Sequence, residues 1–362
     1  MAKILFVLPR MGGGGAERVV SILANNLSKN GDNVVSIHTF VSGESFYRID
    51  EKVILTDCGI KKVKKGLFRK LSVFINFPKA FFRTRKLIKK GNFDYVLSFL
   101  AEADITLWLC KKTGVKFTHV CSERNDPRKK GRLKRFFLKK TYKRADKFVC
   151  QSQTIANFYS FIDNNKKVVI PNPLNPQILP KRDKDLKNTV VAVGRLTAQK
   201  NFTLLINAFS RVLQKFPDYS LEIYGEGGER SDLERQIERL GLGAKIVLKG
   251  AQKGVLDKIK DAKLFVMSSD YEGFPNALLE SMGIGLPVVC TDFFTGTARE
   301  LIDEKGGILV PVGDENSLAT AIVKMLSKPD LESFGEYNLD KAKNYYEDVI
   351  VEKWKELVFN LK

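Results

Sequence analysis

Cysteine is scarce and unpatterned in this chain. The five thiols, Cys58, Cys110, Cys121, Cys150 and Cys290, are odd in number, scattered, and never spaced Cys-x-x-Cys. That argues against a disulfide framework and a cysteine zinc site and fits a reducing cytoplasm. Long apolar runs are missing too. Residues 1–8 end in Pro9 and Arg10 and lead into a glycine loop rather than a cleavage site, so they read as a first strand and not a signal sequence. Residues 95–110, the most apolar later stretch, carry Glu102 and Asp104 and fall short of the roughly 20 clean residues a spanning helix needs. The expectation is a protein that is soluble or lies on a membrane. Histidine is nearly absent: His38 and His119 are the only two, and a lone histidine near a strand is more often structural than catalytic.

Acid is short as well. Lys and Arg number 61 against 41 Asp and Glu, a formal charge of +20, which calls for a polyanionic partner: nucleic acid, an anionic membrane or a phosphorylated substrate. Residues 61–90 contain no acid at all. There Lys64, Lys65, Arg69 and Lys70 interleave with Phe74, Phe77, Phe81 and Phe82, and residues 128–147 repeat the mixture. Phenylalanines beside cations suit a lipid headgroup layer, where each cation contributes on the order of 1 kcal/mol, better than a solvated helix. Pro78 is expected to divide the first stretch into two helices. Nucleic-acid binding is the rival from another class, but no zinc pattern or aromatic RNA-binding signature supports it.

What is present is alternation. Short β-branched runs at residues 3–7, 33–37 and 147–150 are separated by amphipathic stretches of helical period, which implies parallel β-α-β units. The rhythm pauses at Pro171, Pro173, Pro176 and Pro180, then restarts, with strands expected at 190–193, 221–224, 245–248, 264–267, 287–290 and 308–310. At 362 residues and 44% apolar content the chain can fill two cores. The expected division is residues 1–176, a linker at 177–187, a second domain at 188–340, and a final helix at 341–362 crossing back to the first. Two doubly wound α/β domains would face a central cleft, with ligands held by loops at the carboxyl ends of the strands.

Three loops carry candidate chemistry. After the first strand, Gly12 to Gly15 lead into Glu17 and Arg18, and glycines at a helix start let backbone amides approach an anion. The loop is neither a Walker loop nor a dinucleotide fingerprint, and a plain tight turn remains an alternative. Gly194-Arg195-Leu196 with Lys200 could converge on a diphosphate, Arg as a fork and Lys as a point charge. The sharpest element is Glu272-Gly273-Phe274-Pro275-Asn276-Ala277-Leu278-Leu279-Glu280. Pro275 suits a first helical turn, so Glu272 should lie on the loop and Glu280 two turns along. The two acids are too far apart for a carboxylate dyad and better placed to grip two parts of one polyhydroxylated ligand.

Gly194-Arg195-Leu196 with Lys200, Tyr224-Gly225-Glu226-Gly227, and Glu272-Gly273-Phe274 with Glu280 closely resemble the nucleotide-binding half of family-4 retaining glycosyltransferases, which have the GT-B fold. The glycine loop with Ala16, Glu17 and Arg18 is similar to the family's amino-terminal loop, so the resemblance spans nearly the whole chain. It implies that Arg195 and Lys200 hold a donor diphosphate, Glu280 the ribose and Glu272 the transferred sugar. It further implies contacts from Gly14, Gly15, Gly273, Phe274, Asn276, Ala277 and Leu278, with the base near Lys249 and Gly250. His119 is expected to face the donor sugar as a catalytic residue. The Ser122-Glu123-Arg124-Asn125-Asp126 segment resembles the branch that builds bacterial surface polysaccharides and lipid-linked oligosaccharides, and it puts Arg124 with Glu17, Arg18 and the basic stretch on the acceptor side. Residues 1–176 would then bind acceptor and residues 188–340 the nucleotide sugar.

The implied reaction is retaining transfer from a UDP-sugar, an N-acetylhexosamine or a hexose, to a polyprenyl-diphosphate-linked saccharide at the cytoplasmic membrane face. The leaving diphosphate takes the acceptor proton, and no metal or other cofactor is needed. Rival enzymes are a transferase acting on a lipopolysaccharide core or soluble acceptor, and a nucleotide-sugar epimerase. One departure stands out: Phe293-Phe294-Thr295-Gly296-Thr297-Ala298-Arg299-Glu300 replaces the family's Pro-Ser-Gly-Pro type of turn.

Overall fold

The computed structural model describes residues 2–29, 31, 33–61 and 68–360, and of residues 68–74 the backbone alone. Lys64 and Lys65 lie outside the described residues, as do the side chains of Arg69, Lys70 and Phe74. The chain divides into two compact units, residues 1–173 with 348–362, and residues 174–347.

In the first unit the strands are β1 (Ala2–Leu8), β2 (Asn33–Val41), β3 (Ile54–Ile60), β4 (Tyr95–Phe99), β5 (Thr118–Ser122), β6 (Lys147–Cys150) and β7 (Lys167–Val169). They form one parallel sheet in the order β3-β2-β1-β4-β5-β6-β7. The helices are α1 (Gly15–Ser28), α2 (Phe68–Gly91), α3 (Ala101–Lys112), α4 (Arg132–Arg144) and α5 (Gln153–Phe158). Apolar residues run almost unbroken through β1 because helices cover both faces of the sheet. Ile4, Phe6 and Leu8 pack with α1, while Leu5 and Val7 pack with α2 and α3. Contrary to the expected division, α2 runs through Pro78 as a single helix. Its buried face, Ala80, Thr84 and Ile88, is held by the core, which offsets the one backbone hydrogen bond that a proline removes.

The last helix of the chain, spanning Glu347–Phe359, places Ile350, Val351, Trp354, Leu357 and Val358 in the same core as α1. Trp354 stacks on Phe99, with ring centroids 5.8 Å apart and planes at 28°.

The second unit repeats the plan with β8 (Lys187–Val193), β9 (Ser220–Tyr224), β10 (Ile246–Gly250), β11 (Ala262–Met267), β12 (Val288–Thr291) and β13 (Gly307–Val310). These are parallel, in the order β10-β9-β8-β11-β12-β13. The helices are α6 (Phe202–Lys215), α7 (Arg230–Arg239), α8 (Val255–Ile259), α9 (Asn276–Gly283), α10 (Thr297–Leu301), α11 (Glu315–Leu326) and α12 (Leu331–Ala342); the final helix is α13. Residues 177–187 pack on this unit: Arg182 donates to the Ala262 carbonyl at 3.2 Å, and Leu179, with Leu174 just before the segment, lies against Gly283. In each sheet the strand order reverses beside the first strand, between β1 and β4 and between β8 and β11. Ligands of doubly wound folds bind at such reversals, beyond the carboxyl ends of the strands. No helix among the described residues is long and apolar enough to cross a membrane.

Candidate functional site

At the reversal of the second sheet, the loop after β8 meets the loop after β11. Residues 198–200 form a single tight helical turn, and Asn201 follows in the left-handed conformation, φ 47°, which asparagine tolerates better than most residues. Its side chain caps α6 by accepting from the Leu204 amide at 3.2 Å, and its Nδ2 donates to Asp270 at 2.8 Å. Four further bonds stitch this turn to the second loop. Ser268 Oγ donates to the Lys200 carbonyl at 2.9 Å, and the Asp270 amide to the Gln199 carbonyl at 2.9 Å. Gln199 Nε2 donates to both the Tyr271 carbonyl, at 2.8 Å, and Glu272 Oε2, at 3.1 Å.

Lys200 Nζ completes the join by pairing with Glu272 Oε1 at 2.6 Å, and Ser269 Oγ donates to the same oxygen at 2.9 Å. Glu272 is only 7% exposed, so a carboxylate there requires this set of donors. Gly194 makes room for the lysine stem, since a Cβ on it would lie 2.9 Å from Lys200 Cε.

The loop after β9 is laid directly on Gly194 and Leu196, backbone to backbone. The Gly194 amide donates to Tyr224 O at 2.9 Å and the Leu196 amide to Glu226 O at 3.0 Å. Cβ atoms on Gly225 and Gly227 would collide with Gly194 O and Leu196 O, and Gly225 also has φ 147°. The spacing Gly225-x-Gly227 is thus explained by the close approach of two chains. Arg195 is exposed, and its guanidinium makes no hydrogen bond or ion pair among the described residues, so it is available to an anion.

At the start of α9 the Leu278 and Leu279 amides bond to Pro275 O, and the Asn276 amide to Phe274 O. Those of Gly273 and Ala277 donate to no acceptor among the described residues, which leaves donors at a helix start for an anion or a sugar oxygen. The side chains of Phe274 and Leu278 are buried in the core, Phe274 against Tyr345. Any contact these two residues make with a ligand would come from their main chain. Glu280 lies half-buried about one turn into α9 rather than two, because the helix begins at Asn276. In place of a proline turn, Thr297 Oγ1 donates to Gly273 O at 3.4 Å and Thr291 Oγ1 to Ser269 O at 2.6 Å, bracketing the Glu272 loop from the other side. Lys249 pairs with Glu222 at 3.3 Å, while Gly250 lends its carbonyl to the Gly225 amide.

In the first unit three expectations are corrected. His119 is the second residue of β5, not its end, and is 1% exposed. Its Nε2 lies 2.9 Å from Ser98 Oγ, which donates to Asp104 at 2.6 Å. Burial and nearby Lys111 lower its pKa to about 3, so the ring is neutral and interior. Arg124, assigned to the acceptor side, is buried with its guanidinium 5.1 Å from the Phe99 ring and 5.3 Å from that of Trp354, and it donates to Ser122 and Asn172. It anchors α13 to the sheet. Glu17 is buried and folds back over Gly12 and Gly14, whereas Arg18 and Gly15 are half-buried. The strand-end position expected of a histidine is held instead by Glu123, which accepts from Tyr142 and Tyr159 at 3.2 and 2.7 Å and pairs with Lys130.

Asp104, His119 and Cys121 bring their ligand atoms within 4.8 Å of one another. They form a buried hydrogen-bonded cluster around Ser98.

In the first unit, α2 and α4 each pack against α3. Ile75 and Phe82 on α2 and Leu133 and Phe136 on α4 are more than half exposed among lysines and arginines. Phe77 and Phe81 are half-buried. No role for Gln199, Ser269, Thr291 or Thr297 is legible in the sequence, because side chains that brace another loop carry no periodic or charge signal.

The family model "Glycosyl transferases group 1" matches residues 175–341, and "Glycosyltransferase Family 4" matches residues 13–178. Among curated proteins, the chain is 28% identical, over 100% of its length and 99% of the relative's, to the Campylobacter jejuni enzyme named GalNAc-alpha-(1->4)-GalNAc-alpha-(1->3)-diNAcBac-PP-undecaprenol alpha-1,4-N-acetyl-D-galactosaminyltransferase. It is 28% identical to a second Campylobacter jejuni enzyme, named N-acetylgalactosamine-N,N'-diacetylbacillosaminyl-diphospho-undecaprenol 4-alpha-N-acetylgalactosaminyltransferase, covering 91% and 92%. Identity is also 28% to the amylovoran biosynthesis glycosyltransferase AmsD of Erwinia amylovora, covering 99% and 100%. Among solved structures, sucrose-phosphate synthase from Thermosynechococcus elongatus superposes with a TM-score of 0.85 at 18% identity, covering 100% and 99%. Anabaena HepE in complex with UDP and glucose follows at 0.79 and 17%, covering 99% and 100%.

Proposed function

The chain belongs to the family-4 glycosyltransferases of GT-B fold, and from that premise we propose that it moves an N-acetylhexosamine or hexose, with retention, from a UDP-sugar to a polyprenyl-diphosphate-linked saccharide. The observation that carries the reading is the joined pair of loops at the second sheet's reversal, where Lys200 and Glu272 meet beside exposed Arg195 and the open amides of Gly273 and Ala277. Cations and helix-start amides suit a diphosphate, and a fixed carboxylate beside them suits the hydroxyls of the sugar it carries.

In this reading Arg195 and Lys200 hold the diphosphate, Glu280 the ribose and Glu272 the transferred sugar. Preorganised charge at the leaving phosphate is the main catalytic contribution. The departing diphosphate oxygen accepts the acceptor proton, so no protein base is called on, and the interior, neutral His119 agrees with that economy. Lys200, Arg195 and the α9 amides supply positive charge without a metal.

The acceptor assignment draws on the undecaprenol-linked substrates named for the Campylobacter relatives. Exposed apolar residues among the cations of α2 and α4 support a peripheral seat on the anionic cytoplasmic face of a membrane. The decisive test is a panel of nucleotide sugars offered with one polyprenyl-diphosphate-linked sugar, reading transfer and product anomer. Transfer from a UDP-N-acetylhexosamine or UDP-hexose with retained configuration is expected. An inverted product, or transfer only to saccharides without lipid, would overturn the reading.

A further inference from the structure

We propose that Gln199 is a positioning residue for the transfer, holding Glu272 in place when Lys200 turns to the donor diphosphate. The proposal rests on the reading of Glu272 as the grip on the donor sugar. In this structure Lys200 and Glu272 satisfy each other at 2.6 Å. A lysine drawn toward a diphosphate leaves behind a carboxylate that is only 7% exposed, and such a group must keep other donors or lose its charge.

Two neutral donors remain, Ser269 Oγ on Oε1 at 2.9 Å and Gln199 Nε2 on Oε2 at 3.1 Å. Gln199 is the more constrained of the two. Its Nε2 spends both hydrogens on acceptors, Glu272 Oε2 and the Tyr271 carbonyl at 2.8 Å. A flipped amide would aim its oxygen at two acceptors, so the network itself fixes the orientation. The Gln199 carbonyl also accepts from the Asp270 amide at 2.9 Å. One residue, adjacent in sequence to the diphosphate lysine, therefore fixes three successive positions of the sugar loop, 270 to 272. It ties the geometry of the sugar grip to the turn that carries Lys200.

The test compares Gln199→Leu, Glu272→Ala and the double variant, with UDP-N-acetylgalactosamine as donor or whichever donor the panel selects in its place, and UDP binding by calorimetry as a second readout. Gln199→Leu should keep its UDP Kd within about twofold, because UDP carries no sugar for Glu272 to hold, while kcat falls about tenfold to a hundredfold through misplacement of the grip. The double variant should be no more than about twofold slower than Glu272→Ala alone, since a residue acting through another is non-additive with it. Gln199→Ala, which also removes the donor to Glu272, supplies the same readouts should Gln199→Leu fold poorly. Losses that multiply, a UDP affinity that falls in step with kcat, or an undiminished kcat in Gln199→Leu beside an impaired Glu272→Ala would overturn the proposal alone. A full-rate Glu272→Ala would remove the reading beneath it as well.

Discussion

Lys200 and Glu272, separated by 72 positions in the chain, form a largely buried ion pair at 2.6 Å across the reversal of the second sheet. The pair forms because β8 and β11 are neighbours in the sheet although β9 and β10 intervene in the sequence. Each partner lies on a loop that opens a helix, so both charges converge beyond the carboxyl ends of the strands, where doubly wound folds bind their ligands. A buried pair of this kind is weak evidence of stabilisation, because desolvation offsets most of the attraction. Its value lies in presenting a lysine and a carboxylate in fixed relation to one ligand.

The two acids of the donor loop are expected to separate in their effects. Glu280→Ala should raise the Kd for the nucleotide sugar about tenfold with little change in kcat, the loss of a ribose hydrogen bond to a charged group. Glu272→Ala should mainly lower kcat. Steady-state kinetics and donor titration on both variants check this, and wild-type values from both would return the pair to an ordinary helix surface.

The glycine pair that lies on Gly194 and Leu196 should be intolerant of a single methyl group. Gly225→Ala or Gly227→Ala drives a Cβ into a backbone oxygen and should abolish UDP binding, whereas at Gly228 nothing lies within 4 Å of an added Cβ. Gly228→Ala should bind UDP as wild type does. Calorimetric titration with UDP separates the three variants.

Acid should weaken the fold above the ordinary carboxylate range through the two buried histidines, partly opposed by Asp104, whose carboxyl is held by burial well above that range so that the folded chain takes up its proton first. Burial lowers the pKa of His119 to about 3 and that of His38 to about 4 from an ordinary 6.5. Because the unfolded chain binds these protons first, stability is present above pH 6.5 and is lost as pH falls toward 4. Each proton contributes a slope of about 1.4 kcal/mol per pH unit. Urea midpoints at pH 7.5, 6 and 5 should decline, and the decline should be shallower in His38→Gln, which keeps a polar side chain beside Thr56 and Thr84.

Membrane seating is expected to depend on exposed apolar residues as well as on charge. Phe82→Ser with Phe136→Ser should reduce sedimentation with anionic vesicles and turnover on a polyprenyl-linked acceptor. Turnover on a short-chain soluble acceptor should stay near wild type. An equal loss on both acceptors would count against a lipid-facing role for α2 and α4.

The sequence by itself determined a good deal. Its alternation of β-branched runs and amphipathic stretches dictates two parallel α/β sheets, and the glycine and acid motifs identify the loops that bear Arg195, Lys200, Glu272 and Glu280, because strand period and turn chemistry are local properties. What only the tertiary structure decided concerns partners far apart in the chain. His119 and Arg124 read as site residues in sequence. Sheet order instead puts His119 against Ser98 inside the first unit, and α13 returns with Trp354 to cover Arg124. Continuity of α2 through Pro78 likewise follows from the burial of Ala80, Thr84 and Ile88. Lys200 and Glu272 could be named from the sequence one at a time. That they touch, held by Gln199 and Ser269, depends on which strands lie side by side, and no local pattern encodes that.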